Sequence, residues 1–213
     1  MATKKVTSLE VAKLAGVSQS AVSRVFTPGA SASKKTNEKV LSAAAELGYR
    51  PNILARSLIT GKSRIIGLVV SHLDNYFYPE ALELLSNALQ KKGYHVLVFM
   101  ASKTSGNIDD VVDEILDYQV DAIILASIAM SSNLANRCVA AGVPVMLFNR
   151  SQDDDRFSTV TSDNFLGGQK VARFLIAGGH KRVGYIAGWE GASTQRDREA
   201  GFTEELTQHG RSL

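Results

Sequence analysis

Residues 6–26 read VTSLEVAKLAGVSQSAVSRVF and predict two short helices joined by a tight turn. Thr7, followed three residues later by Glu10, forms the pattern of a capping box, which satisfies two backbone donors at a helix start. Gly16 supplies the backbone freedom for the turn, and Ser18 is a suitable N-cap for the second helix. The stretch therefore predicts a helix-turn-helix unit.

Each of these helices has an apolar side, which leaves the opposite side free to meet a partner. The apolar positions are Leu9, Val11, Ala12, Leu14 and Ala15 in the first helix and Ala21, Val22 and Val25 in the second. The other side of the second helix carries Gln19, Ser20, Ser23 and Arg24. Ser and Gln offer donors and acceptors to base edges, and Arg reaches guanine or phosphate. The pattern favours a helix that lies in the major groove of DNA; the alternative is an ordinary surface hairpin with solvated polar side chains.

A third helix is predicted over residues 36–48, and Gly48 is its C-terminal stop. Its inward-facing positions are Val40, Leu41, Ala44 and Leu47. Three helices around one small core form a head of roughly 50 residues, which is viable for DNA binding. Pro51 then prevents simple continuation of the helix, and Asn52 can cap a new one. Residues 53–59 show a short helical pattern, and residues 60–63 form a flexible joint.

The charge of the chain is divided unevenly along its length. Residues 1–64 contain 11 Lys and Arg against three acidic residues, a formal charge of +8. Residues 65–213 contain 13 basic and 18 acidic residues, a formal charge of −5. A basic segment followed by an acidic one predicts that contact with phosphates is confined to the first part of the chain.

Residues 65–213, called the body below, alternate apolar runs with amphipathic helical patterns. Strands are predicted over residues 65–70, 96–100, 122–126, 145–148 and 182–187, and helices over residues 79–92, 108–118, 133–141, 165–177 and 194–208. This alternation indicates an open, doubly wound α/β sheet with both faces covered. A ligand of such a sheet lies beyond the carboxyl ends of its strands. That rim carries Ser71, His72, Asn75, Phe77, Asn149 and Arg150.

The sequence lacks the marks of the common enzyme classes. It has no Walker loop, no GxGxxG after a strand, no HExxH and no GxSxG, and its four histidines lack metal-ligand spacing. No catalytic residue, cofactor or metal is therefore predicted. A lone cysteine, Cys138, an N-terminus without an apolar signal core and no run of membrane-spanning length predict a cytoplasmic protein. Two rivals are disfavoured: a secreted sugar-binding protein, and a sugar-metabolising enzyme with an appended DNA-binding head.

Several ordered motifs resemble one family of bacterial regulators, the lactose-repressor/galactose-repressor (LacI–GalR) family. They are VTSLEVAKLAGVSQSAVSRVF, KVLSAAAELGYRPNILARSL, TGKSRIIGLVV, PVMLFNR, SDNFLGGQ, GGHKRVGYIAG and RDREAGF, and they cover essentially the whole chain. One departure is the segment 27–33, which is longer than the usual turn before the third helix. The resemblance implies a helix-turn-helix head at residues 1–50, a hinge helix and linker at 51–64, and a periplasmic-binding-protein-like body divided into subdomains at 65–162 and 163–213.

The resemblance also implies particular DNA contacts. Gln19, Ser20 and Arg24 match the positions that read bases, while Thr7, Ser18 and Ser23 match positions beside the DNA backbone. Further contacts are expected in the hinge, at Asn52, Ala55 and Leu58. Leu58 matches the apolar wedge that enters the minor groove at the operator centre, although it can also be read as a core leucine.

The same resemblance implies a small-molecule effector, sugar-like, held between the two subdomains. The expected contacts are Asn75, Phe77, Asn149, Asp163 and Arg198. Two of them have structural alternatives: Asp163 can cap the helix that follows it, and Arg198 can be a solvated helical charge. The expected partners are a second copy of the chain, in a homodimer or higher oligomer, and a pseudo-palindromic operator in double-stranded DNA.

Typical members of the family continue for well over a hundred residues beyond the point matched by Leu213. The chain as written is therefore expected to be truncated, with both sheets of the body incomplete. Two functional interpretations follow. The first is a repressor of carbohydrate-metabolism genes that is controlled by a small-molecule effector, since members of the family commonly respond to sugars. The alternative is a non-functional or dominant-negative fragment of such a regulator.

Overall fold

The computed structural model describes residues 6–27, 29–52, 61–71, 73–74, 76–101, 108–128, 130–152 and 154–213. The chain divides into two compact units, Met1–Gly61 and Lys62–Leu213. The predicted hinge helix at 53–59, with Ala55 and Leu58, lies outside the described residues, as does Asn75.

Three helices form the first unit: α1 (Ser8–Ala15), α2 (Gln19–Val25) and α3 (Lys34–Leu47). The capping box of Thr7 and Glu10 is confirmed, and Gly16 ends α1 in the left-handed conformation with φ 65°. Ser18 caps α2 by accepting a hydrogen bond from the Ala21 N–H at 3.2 Å. The core of this unit is made of small side chains from all three helices: Val11, Ala12, Ala15, Val22, Val40, Ala43 and Ala44.

Two details of the predicted head are wrong. The third helix begins two residues earlier than predicted, at Lys34, because the Ser33 side chain accepts the Thr36 N–H and caps it there. Three leucines assigned to the apolar sides are exposed, namely Leu9, Leu14 and Leu41. The core is built from small valine and alanine side chains, so it buries only the middle of each apolar side. The three leucines lie at the edges of these apolar sides and remain exposed.

A parallel five-stranded sheet forms the centre of the second unit. Its strands are β1 (Ile65–Val70), β2 (His95–Met100), β3 (Ala122–Ala126), β4 (Val145–Phe148) and β5 (Ser158–Val160). Their order in the sheet is β2-β1-β3-β4-β5. The bounds of β1, β3 and β4 agree with the predicted ones, and β2 begins one residue earlier. The short strand β5 was not predicted, because three exposed residues carry no apolar alternation.

Helices cover this sheet on both faces, which confirms the doubly wound class. On one face α4 (Phe77–Lys91) packs against Ile66, Leu68 and Ile124 through Leu82, Leu85 and Leu89. On the other, α5 (Ile108–Asp117) and α6 (Ser132–Ala140) pack against Val69, Ile123, Leu125 and Leu147. The helix α4 begins at Phe77, two residues before the predicted start, so Phe77 lies in the first turn of this helix.

Two further helices, α7 (Asn164–Ala177) and α8 (Ser193–Gln208), pack closely against each other. Glycines permit this approach: a Cβ added to Gly168 would lie 2.1 Å from the Arg198 carbonyl oxygen, and one added to Gly201 would lie 2.0 Å from the Phe165 carbonyl oxygen. The predicted strand at 182–187 is wrong. That segment is not a strand because no strand pairs with it in the described part of the chain, and its Ile186 is 99% exposed.

In the part of the chain that the structure describes, no helix has both the length and the apolar character needed to cross a membrane.

Candidate nucleic-acid interface and effector pocket

One face of α2 and its N-cap collects the predicted base-reading residues. Ser18, Gln19, Ser20, Ser23 and Arg24 are all exposed, while Val22 on the opposite side is fully buried in the core of the first unit. The core fixes the orientation of α2, and the polar face is consequently presented as a rigid surface. A short helix presented in this way has the dimensions that the major groove accepts.

Hydrogen bonds hold several of these side chains in place. The Gln19 Nε2 donates to the Ser8 Oγ at 2.9 Å, which ties the start of α2 to the start of α1. The hydroxyls of Ser18 and Ser20 lie 3.0 Å apart, and the Arg24 Nε donates to the Ser20 carbonyl at 3.4 Å. The Arg24 contact is long, so little hydrogen-bond energy holds this side chain against its own helix.

The remaining predicted DNA contacts are more scattered. Thr7 is exposed, but both its N–H and its hydroxyl donate to the Glu10 Oε2, at 2.7 and 3.0 Å. Thr7 thus has a structural role in the capping box. Asn52 is exposed in the segment that follows α3.

In the second unit, the carboxyl end of β4 forms the first part of a candidate pocket. Asn149 has a left-handed backbone with φ 58°, and its Nδ2 donates to the Tyr78 Oη at 3.0 Å. Phe77 stacks on Phe148 with ring centroids 6.0 Å apart and 8° between the planes. The structure therefore brings together Asn149 and Phe77, two of the predicted effector contacts, at the rim where the sheet predicts a ligand.

The other two described candidates lie together at the start of α7. The Arg198 Nε donates to the Asn164 Oδ1 at 2.8 Å, and the Asp163 Oδ1 accepts the Leu166 N–H at 2.9 Å. Asp163 and Arg198 line one groove of about 460 Å³, whose wall also includes Val171, Tyr185 and Phe202. Asp163 is thus the N-cap of α7, the alternative that the sequence left open, and Arg198 is bound to a buried amide instead of being merely solvated.

We expect Asp163→Ala to lower the free energy of unfolding by about 1 kcal/mol, because it removes the N-cap of α7. Asp163→Ser should recover most of this loss, since a serine hydroxyl accepts the same N–H. Urea denaturation of the two variants measures the difference. Equal stability of Asp163→Ala and the parent chain would exclude the capping role.

Arg150 is a buried residue that sequence reasoning placed on the rim without assigning it a role. It is only 6% exposed, and its guanidinium lies over the Trp189 ring with its carbon 5.1 Å from the ring centroid. The next residue, Ser151, donates its N–H to the Ser193 Oγ at 2.9 Å. These contacts connect the rim of β4 to the start of α8. The signal in the sequence was a charged residue two positions after the end of an apolar strand.

The pKa of the Arg150 guanidinium is lowered, first by burial and then by the nearby positive charge of Arg196, against an opposing effect of Tyr78. A guanidinium remains protonated at neutral pH even so. The rim after β4 therefore contains a buried positive charge.

Comparisons with known proteins agree with both units. Residues 7–52 match the model of the family described as bacterial regulatory proteins, lacI family. Residues 63–213 match the model described as periplasmic binding proteins and sugar binding domain of LacI family. The chain is 34% identical to the maltose regulon regulatory protein MalI of Escherichia coli (strain K12), over 97% of this chain and 61% of that protein. It is 32% identical to the sucrose operon repressor of Klebsiella pneumoniae, over 100% of this chain and 64% of that protein.

Solved structures show the same likeness. The chain resembles the lac repressor dimer bound to operator and the anti-inducer ONPF with a TM-score of 0.84 and 28% identity, over 98% of this chain and 64% of that one. It resembles the complex of the transcriptional regulator CelR with cellobiose with a TM-score of 0.63 and 29% identity, over 98% of this chain and 63% of that one. The chain thus spans about three fifths of the length of the proteins that it matches.

Proposed function

Because the chain belongs to the LacI family of bacterial regulatory proteins, we propose that it acts in a sequence-specific, DNA-binding transcriptional regulator, a repressor of carbohydrate genes that responds to a sugar-like effector. The regulator works in the cytoplasm, where bacterial DNA is found, and binds its operator as a homodimer. Membership of a family of regulatory proteins agrees with the expectation that the chain is not an enzyme.

The observation that carries this proposal is the exposed polar face of α2. Four polar residues of this helix and its N-cap Ser18 lie beside one another, the opposite side of the helix is buried, and the segment 1–64 that contains it carries a charge of +8. The charge supplies affinity for any phosphate backbone, and the side chains of α2 supply selection among base sequences. Two relatives named for control of maltose and sucrose genes support a carbohydrate operon as the target.

The effector part of the proposal depends on the two groups of side chains at the carboxyl end of the sheet. Asn149 and Phe77 form one group, Asp163 and Arg198 the other, and the contacts of Arg150 and Ser151 with the start of α8 connect the elements that bear them. A sugar that contacts both groups would favour one arrangement of the two subdomains. Its binding would shift the population between two states that differ in operator affinity.

We expect Arg24→Ala to weaken binding to the selected operator by roughly 1–3 kcal/mol and to blur the preference at one base position. The operator is first selected from random-sequence duplexes with the whole chain, and affinities are then measured at fixed salt on the selected duplex and on a scrambled one. The matched control is Arg50→Ala, which removes the same charge from an exposed position outside α2 and should weaken both duplexes by similar factors. Equal losses on both duplexes for Arg24→Ala would contradict a base-reading role.

A further inference from the structure

One hydrogen bond between side chains joins the two helices of the helix-turn-helix unit. The Gln19 Nε2 donates to the Ser8 Oγ at 2.9 Å. Gln19 is the first residue of α2 and belongs to its exposed polar face, while Ser8 is the first residue of α1 and is half-buried. The bond therefore connects a side chain that is predicted to read bases with one to which the sequence assigned no role.

The fold holds the acceptor of this bond, the Ser8 hydroxyl, in a constant place. Ser8 follows the N-cap Thr7, whose capping box with Glu10 determines where α1 begins. One turn further along the same side of α1, Val11 and Ala12 are buried in the core that the three helices share. Because closely packed side chains keep one arrangement, the Ser8 Oγ remains beside the start of α2.

A glutamine side chain without a partner does not distinguish the two ends of its amide. Its terminal torsion is broad and roughly two-fold, so a half turn exchanges the oxygen with the nitrogen at little cost. The oxygen is an acceptor, and the nitrogen donates two N–H groups. The bond from the Gln19 Nε2 to Ser8 removes this freedom, because one exposed hydrogen bond favours one orientation over the other by a factor of about two to ten.

The oriented amide of Gln19 keeps one acceptor and one donor for DNA. Among the residues that the structure describes, the Gln19 side chain forms no hydrogen bond other than the one to Ser8. Its Oε1 and the second N–H of its Nε2 are consequently available. In the major groove adenine presents an amino group beside the N7 acceptor, whereas guanine presents two acceptors. An oriented Gln19 therefore matches adenine and would set its own acceptor against the guanine O6.

On the basis of the proposed function, we propose that Ser8 is a positioning residue for base recognition. It holds the Gln19 amide with Nε2 towards α1 and Oε1 towards the base, so that α2 selects adenine at one position of the operator. Ser8 acts through Gln19 and does not itself contact the base. A glutamine free to turn would accept adenine in one orientation and guanine in the other, so the bond between the helices makes a tolerant side chain selective.

The experiment measures the base preference at a single operator position. The operator is selected from random-sequence duplexes with the 213-residue chain, and the position read by Gln19 is the one whose preference is lost in Gln19→Ala. Affinities are then measured at fixed salt on four duplexes that differ only in the base at that position. We expect adenine to bind at least about fivefold more tightly than guanine in the parent chain, and Ser8→Ala to reduce this ratio about threefold.

A double-mutant cycle separates positioning by Ser8 from direct contact with DNA. If Ser8 acts through Gln19, Ser8→Ala causes no further change in a Gln19→Ala chain. Ser8→Thr keeps a hydroxyl and should recover the parent ratio. The matched control, Ser42→Ala, removes a hydroxyl from an exposed position on α3 and should leave the ratio unchanged. Because the N-cap of α1 is Thr7, Ser8→Ala should keep the parent helicity in circular dichroism.

Four results would overturn the role of Ser8: no operator position whose preference depends on Gln19, a base other than adenine preferred there, an adenine-to-guanine ratio unchanged in Ser8→Ala, or an effect of Ser8→Ala that persists without Gln19. Each of them is obtained on a selected operator, so the proposed function would stand. A chain that selects no sequence from the random duplexes would instead contradict the proposed function itself, and the role of Ser8 with it.

Discussion

Alanine at Gly168 is expected to lower the free energy of unfolding of the second unit by about 3 kcal/mol, the upper part of the range for overpacking a tight contact. The added Cβ would lie 2.1 Å from the Arg198 carbonyl oxygen and 2.8 Å from the Phe202 nitrogen. Both are backbone atoms of α8, so no side chain can rotate away. The two helices must separate, and the contacts of Ala172, Phe202 and Leu206 in their small shared core are lost with them.

The adjacent glycine provides the control. A Cβ at Gly167 meets no atom within 4 Å, and Gly167→Ala should raise stability by about 0.5–1 kcal/mol, because alanine favours a helix over glycine. Gly201→Ala, whose Cβ would lie 2.0 Å from the Phe165 carbonyl oxygen, should be as damaging as Gly168→Ala. Urea denaturation followed by circular dichroism compares the three variants. A Gly168→Ala chain as stable as Gly167→Ala would mean that α7 and α8 do not approach so closely.

The close approach of Gly168 to Arg198 also determines the position of the groove that Asp163 and Arg198 line. Arg198 supplies both the carbonyl oxygen that Gly168 admits and the guanidinium that binds Asn164 at 2.8 Å. Helix separation in Gly168→Ala would therefore move Arg198 away from Asn164 and Asp163. The glycine contact determines the shape of the second candidate group as well as its stability.

Local signals in the sequence identified most elements of the fold. The capping box at Thr7, the N-cap at Ser18 and the turn at Gly16 depend on residues within four positions, so a short window contains all the information. The strands β1, β3 and β4 were located because buried parallel strands are continuous apolar runs. The exposed face of α2 followed from the same periodicity.

Features that depend on distant packing could not be predicted in this way. The exposure of Leu9 and Leu41 depends on the width of a core made by three helices, which no single helix reveals. The segment 182–187 has the composition of a strand, but a strand requires a neighbour with which to pair. Arg150 was visible only as a charge after a strand, and its unpaired Nε depends on what lies around it in space.

The second large effect concerns Asp121, which fastens the start of the second unit to its sheet. Its Oδ1 accepts the N–H and the hydroxyl of Ser63 at 2.8 and 2.9 Å, and its Oδ2 accepts the Arg64 N–H at 3.2 Å. Ser63 is buried, and its Oγ in turn accepts the Ile65 N–H at 3.1 Å. The Asp121 carboxylate thus accepts hydrogen bonds from the two backbone N–H groups just before β1. Asp121 itself directly precedes the first residue of β3.

Asp121→Ala should therefore cost about 2–4 kcal/mol of stability, because it leaves buried donors of Ser63 without an acceptor. Asp121→Asn keeps the Oδ1 acceptor and loses the one for Arg64, so its loss should be about half as large. The control is Asp117→Ala at the exposed end of α5, which should change stability by less than about 0.5 kcal/mol. Amide hydrogen exchange distinguishes a local effect from a general one, since the Ser63 and Arg64 amides should lose protection before those of β3 do. If these amides stay protected in Asp121→Ala, the segment before β1 is held to the sheet by other contacts.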